Sequence, residues 1–219
     1  DVERIQEIVS GNNILENFSA LLEELKSGRS CESLLNAMSL IAARRFSRLA
    51  LNNGGMWGAG TEVIRYCNSL RRMSAKYQGV YQVKALFQLV YSFFESRWLK
   101  FAGAWNGKAA EAGDWQGFAD AFNEGRCKDA VAIALFCITE STDNSWQGDF
   151  CKPLLQEDNS AVQLNTLVAI LGELPHQAEW QHYISGMVTY ACDQKLGQTV
   201  KSAAKFGRGY LGIREMPSD

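Results

Sequence analysis

Paired cysteines, histidine clusters and long apolar runs are all missing from this sequence. Its 219 residues include two histidines and three prolines, and none of the six cysteines (Cys31, Cys67, Cys127, Cys137, Cys151, Cys192) stands in a C-x-x-C pair. A structural zinc site is therefore not expected, and the cysteines read as reduced, buried thiols. The histidines sit in Glu173-Leu174-Pro175-His176 and Glu179-Trp180-Gln181-His182. Each matches the E-x-x-H element of helical di-iron proteins, but those sites draw the element from two different helices, whereas these two lie six residues apart around a proline. No metal or other cofactor is expected.

No apolar run reaches the roughly 20 residues that cross a bilayer, and the start of the chain lacks the basic-then-apolar layout of a signal peptide. The absence of an initiating Met reads as trimming, and an intracellular, reducing compartment with no membrane partner is the expected location. There is no G-x-S-x-G elbow, no Cys lies near a His in sequence, and no repeat of 34 or 40 residues is visible. The glycine-rich stretch Gly54-Gly55-Met56-Trp57-Gly58-Ala59-Gly60 lacks the G-K-[ST] of a P-loop and follows a helical pattern, so it reads as a linker between helices.

What is present is helical periodicity almost everywhere, with no convincing period-two strand. The expected class is all-α, a globular multi-helix domain of about 8–10 helices. It divides into an N-terminal lobe (1–106) and a C-terminal lobe (107–219), or forms one continuous domain. Ser30 and Asp114 read as N-caps, and Thr61 as the cap of a helix reaching Gln78. Tyr81 to Trp105 reads as one long central helix, Cys127 to Glu140 as a buried one and Ser141 to Asp149 as a polar loop. Further helices are expected over Ser160–Leu171, Pro175–Leu196 and Gln198–Phe206.

Charge is the feature that carries a functional expectation. The net charge is −2, yet residues 43–84 hold Arg44, Arg45, Arg48, Arg65, Arg71, Arg72, Lys76 and Lys84 against Glu62 alone, a local +7. An ordinary solvated surface mixes both signs. On a helical wheel Arg65, Arg72 and Lys76 form one stripe, Arg44 and Arg48 lie one turn apart, and Lys201 and Lys205 repeat the spacing near the C-terminus. Phe46, Trp57, Tyr66, Tyr77 and Tyr81 are interleaved with the central run.

Cationic side chains neutralise phosphates and aromatic faces stack on unpaired bases, which is the mixture a single-stranded nucleic-acid groove uses. Arg44, Arg48, Arg65, Arg71, Arg72, Lys76, Lys201 and Lys205 are the expected phosphate contacts, with Trp57 and Tyr77 as stacking platforms. The bland alternative is that these charges solvate helix faces while the aromatics fill the core. Arg45 falls within an apolar arc and is expected to be structural, paired with a carboxylate such as Glu95 or reaching past the end of its helix.

At the level of class, a compact helical chain with a basic central segment is similar to the RNA-coating nucleocapsid or coat subunits of some viruses. The likeness is one of architecture, not of residues. It implies non-enzymatic, sequence-nonspecific RNA binding, with Asp1 to Asn13 and Phe206 to Asp219 as arms that make a homo-oligomer. Two alternatives stand beside it. One is a helical module whose basic face receives an acidic protein, and the other is a helical enzyme with an apolar pocket around Trp98, Phe101 and Trp105.

Overall fold

The computed structural model describes residues 2–49, 56–77, 79–99, 101, 107–155 and 161–210, with residue 56 and those beyond 197 described by backbone alone. Among the described residues there are ten α-helices and no strands. Among these residues the only sheet-like feature is one isolated bridge between Leu49 and Phe101. No helix there is long and apolar enough to cross a membrane.

The chain opens with α1 (Val2–Ser10), α2 (Ile14–Lys26) and α3 (Cys31–Phe46). Ser30 caps α3 by accepting the Ser33 N–H at 3.1 Å, as its position before an apolar periodic run implies. α1, part of the stretch expected to serve as an arm, buries Ile5, Ile8 and Val9 in this chain's own core. Its apolar spacing satisfies itself internally.

α4 (Met56–Ser74) begins upstream of Thr61, which is not its cap. The Thr61 hydroxyl bonds back to the Trp57 and Gly58 carbonyls, as a mid-helix threonine does. Gly58 and Gly60 are thus helical rather than part of a linker; the expected linker residues 50–55 lie outside the described residues. At Gly60 the missing Cβ leaves room for Leu49, which would lie 2.6 Å from it.

α5 (Val80–Glu95) is shorter than the expected central helix; a turn at Ser96 ends it, and residues 102–106 lie outside the described set. Then come α6 (Trp115–Asn123), capped by Asp114 through the Gly117 N–H at 2.7 Å, and α7 (Cys127–Glu140), which spans the expected residues. Gly125, at φ 73°, makes the turn between them. α8 (Trp146–Leu154) begins inside the stretch read as a polar loop, because Trp146 and Phe150, four apart, bury one face, with the Phe150 ring stacked on Phe118 of α6.

α9 (Ala161–Glu173) ends in a 3-10 turn at Leu174–His176, and α10 (Gln181–Tyr210) runs on as one helix where two were expected. Pro175 therefore sits in the 3-10 turn rather than in the first turn of α10.

One buried cluster draws on both sides of residue 106, with Phe46, Trp57 and Ile64 in it alongside Ile170, Ile184 and Tyr190. α3 packs on α4 and α10, and α4 on α9. The Phe46 ring occupies the place where a Cβ on Gly186 of α10 would lie, which permits the close approach of α3 and α10.

Candidate nucleic-acid interface

Two of the cations in the basic segment are held by carboxylates far away in sequence. Arg44 makes a two-pronged contact with Glu179, Nε to Oε2 at 3.0 Å and Nη2 to Oε1 at 2.6 Å, with Glu3 3.8 Å away. Arg71 lies in the buried arc of α4. Its Nε and Nη2 donate to Glu173 at 3.0 and 2.8 Å, and Nη1 donates to Asn36 Oδ1 at 2.8 Å. Glu173 is fully buried and also accepts from Ser39 at 2.6 Å and from Asn68 at 3.2 Å. The Ser39 hydroxyl bonds Tyr183 as well, so this network ties α3, α4, α9 and α10 together.

Trp57 is corrected by the same logic. Only 2% exposed, it packs on Phe46 and Tyr190 and donates its indole N–H to Asp193 at 2.8 Å. It is a core residue, not a stacking platform. An indole one turn from Gly60 on the face toward α3 and α10 has no path to solvent.

Arg45 is structural, though not through Glu95. Its guanidinium lies 4.9 Å over the Phe93 ring and donates from Nη2 to Ser10 Oγ at 2.8 Å and to the Val9 carbonyl at 3.4 Å. It thereby supplies the cation that the last turn of α1 lacks. Burial pulls it down to about 10, while its Nη1 has no hydrogen-bond partner. The cleft beside it, lined by Phe46, Phe93, Leu99 and Phe101, measures about 10 Å³, room for one water and not for a substrate. Trp98, expected in an apolar pocket, is 56% exposed, and Trp105 lies outside the described residues.

The remaining expected residues divide by surface. Arg48 lies 5.8 Å over Phe101, and half-buried Arg65 donates to the Thr61 carbonyl of its own helix. Lys201 and Lys205 fall on α10 where side chains are not described. Arg72, Lys76 and Tyr77 are exposed at the end of α4, and directly across the turn Val80, Tyr81 and Lys84 are exposed on α5.

The corner is closed tightly. The Tyr77 N–H bonds the Met73 carbonyl at 2.8 Å, Gln82 reaches back to the Ser74 carbonyl at 3.4 Å, and Gly79 turns the chain at φ 77°. No side chain caps α5 there. Tyr77 and Tyr81 are 58% and 62% exposed, and no ion pair among the described residues engages Arg72, Lys76 or Lys84. Lys84 and Tyr81 were legible as members of the basic run, but only the turn shows that they adjoin Lys76 and Tyr77.

The patch has an end. Along one face of α5, Tyr81 and Lys84 give way to Gln88, Tyr91 and Glu95, and the last three line a cleft of about 340 Å³ with Glu62 and Trp98. On this face of α5 the last cation is Lys84, about 10 Å of helix short of Tyr91.

The α3–α10 joint is sensitive to acid. His182 contacts Ser47 Oγ through Nδ1 at 2.9 Å and lies 3.4 Å from Glu179. Burial holds the imidazole below its ordinary value despite the nearby carboxylate, and the Arg44 bond holds Glu179 below the usual carboxylate range. A depressed histidine resists protonation in the fold but not in the unfolded chain, so stability declines as pH falls below about 6.5. The Glu179 contribution, present above the unfolded carboxylate value of about 4.3, is lost as pH falls further through its depressed folded value. Urea midpoints measured from pH 8 to about pH 2.5 are expected to fall in these two stages, with His182→Gln removing the first. A midpoint independent of pH down to 5 contradicts the buried imidazole.

Compared with known proteins, the chain matches no family model, no curated protein and no solved structure, so the interface is assigned on geometry alone.

Proposed function

We propose that the chain binds single-stranded RNA with little sequence preference, through the α4–α5 corner. The observation that carries this reading is the juxtaposition of two outward tyrosines with three cations that no described carboxylate engages. Phosphates pair with Arg72, Lys76 and Lys84 while bases lie on Tyr77 and Tyr81. Arg44, Arg71 and Trp57 leave the site, because each is committed to a partner inside the fold.

This smaller footprint has a measurable signature. Fluorescence anisotropy with a labelled single-stranded RNA of mixed sequence is expected to give a log K against log salt slope near −2, from roughly −0.7 for each of three neutralised phosphates. A slope near −4 requires cations beyond this corner, and no binding at low salt removes the reading. Arg72→Ala with Lys76→Ala is expected to weaken binding severalfold while leaving the thermal midpoint nearly unchanged, since exposed charges contribute little to folding.

A second reading, a protein-docking module, has its own observation. α9 carries no charge before Glu173, and Leu164 and Val168, four apart on its outer face, are exposed with Leu155 nearby in sequence. An apolar face of this kind suits a protein partner better than a phosphate backbone.

A further inference from the structure

Two of the six thiols lie on helices that pack together. Cys127 is the first residue of α7, its thiol donating to the Gly125 carbonyl at 3.4 Å, and Cys192 lies 65 residues later on α10, which packs on α7. Neighbouring contacts bracket the pair. Lys195 of α10 donates to Asn123 at 2.7 Å and sits 5.1 Å over the Phe122 ring, while a Cβ on Gly125 would lie 3.2 Å from Leu196. Lys195 and Leu196 therefore lie against the α6–α7 turn, and Cys192, one helical turn earlier on the same face of α10, is directed to the start of α7.

We propose that Cys127 and Cys192 are a redox modification site, closing to a disulfide on exposure to a hydroperoxide and reopening on reduction. Cys127 is the attacking thiol. It sits at the positive end of a 14-residue helix, beside a turn glycine, and is less deeply buried than Cys192. The neighbouring Cys192 draws Cys127 toward the thiolate, against the opposing effects of burial and the Asp193 charge, whereas the neighbouring Cys127 and burial push Cys192 up. The other four thiols, Cys31, Cys67, Cys137 and Cys151, are all pushed up, chiefly by burial.

The chemistry balances in two steps. The Cys127 thiolate attacks the terminal oxygen of the hydroperoxide; an S–O bond forms, the O–O bond breaks, and the departing alkoxide takes a proton to leave as an alcohol, or as water from hydrogen peroxide. The sulfur is oxidised by two electrons to a sulfenic acid and the peroxide is reduced. Cys192 then loses its proton and attacks Cys127 Sγ; the S–S bond forms, the S–O bond breaks, and hydroxide leaves with that proton as water.

The test is hydrogen peroxide treatment of the reduced full chain, followed by alkylation and cleavage after glutamate. The expected product lacks two hydrogens and joins peptide 125–140 to peptide 180–215, with fragmentation placing the bond on Cys127 and not on Cys137. Dithiothreitol should reverse it. Closing a loop of this length should raise the thermal midpoint by roughly 10 °C. Cys192→Ser, freed of its resolving thiol, should accumulate a dimedone-reactive Cys127. A bond mapped between other cysteines overturns the proposal, as does oxidation of Cys31 or Cys151 while Cys127 and Cys192 remain alkylatable. The mapping uses the unmodified chain, so it decides the matter even if the variant does not fold.

Discussion

Replacing Arg71 with Met is expected to destabilise the protein by about 3–5 kcal/mol, the range for removing one partner of a buried ion pair. The cause is what remains. Glu173 is fully buried and would keep Ser39 and Asn68 as donors, but no cation would offset its charge. Native domains are stable by only about 5–15 kcal/mol, so the loss should be plain in urea unfolding at neutral pH. Arg44→Met serves as the contrast. That pair is 29% and 42% exposed on its two sides, and water screens it, so a loss of about 1 kcal/mol or less is expected. Joining Arg71→Met to Glu173→Leu should recover only part of the stability, because it removes the lone buried charge but leaves the buried Asn68 amide without its acceptor. An Arg71→Met protein as stable as the parent would show that the network does not anchor α4 to α9.

The contrast between Arg71 and Arg72 shows where sequence reading reached its limit. Both are basic, adjacent and on one helix, yet one is engaged by a carboxylate 102 residues away and the other faces water. Local patterns carried much of the fold. Helical spacing gave the class, Ser30 and Asp114 announced their caps, and α7 could be placed because Gly125 and Ser141 bound a continuous apolar face. These are interactions within a turn or two of chain, for which spacing is the physical determinant.

The misreadings share a different cause. Thr61 resembles a cap and the glycines before it resemble a linker, but burial of Trp57 against Phe46 and Tyr190 extends α4 backward through Gly60 and Gly58. α8 hides in a polar stretch whose buried face, Trp146 and Phe150, takes its meaning from α6. Arg44 with Glu179 and Cys127 with Cys192 are likewise pairings across tertiary structure, and no rule of spacing selects them. The basic segment was legible as charge; which of its members were free to act was not.

Trp57 and Tyr77 make that distinction measurable. Trp57→Ala should cost about 3–5 kcal/mol, because it empties a large buried site and removes the donor at 2.8 Å to Asp193. Tyr77→Ala should change stability by no more than about 0.5 kcal/mol, since the ring is 58% exposed. The RNA titration should invert this order. Affinity per folded molecule is expected to survive Trp57→Ala at a temperature where the variant remains native, whereas Tyr77→Ala should lose about 1–3 kcal/mol of binding, the range for one base stacked on an aromatic ring. If Trp57→Ala instead lowered affinity with its stability intact, the indole would have to reach solvent by a movement of α4, and the corner would not be the whole interface. If neither change affected binding, the tyrosines would be bystanders, and the apolar face of α9 would become the surface to pursue.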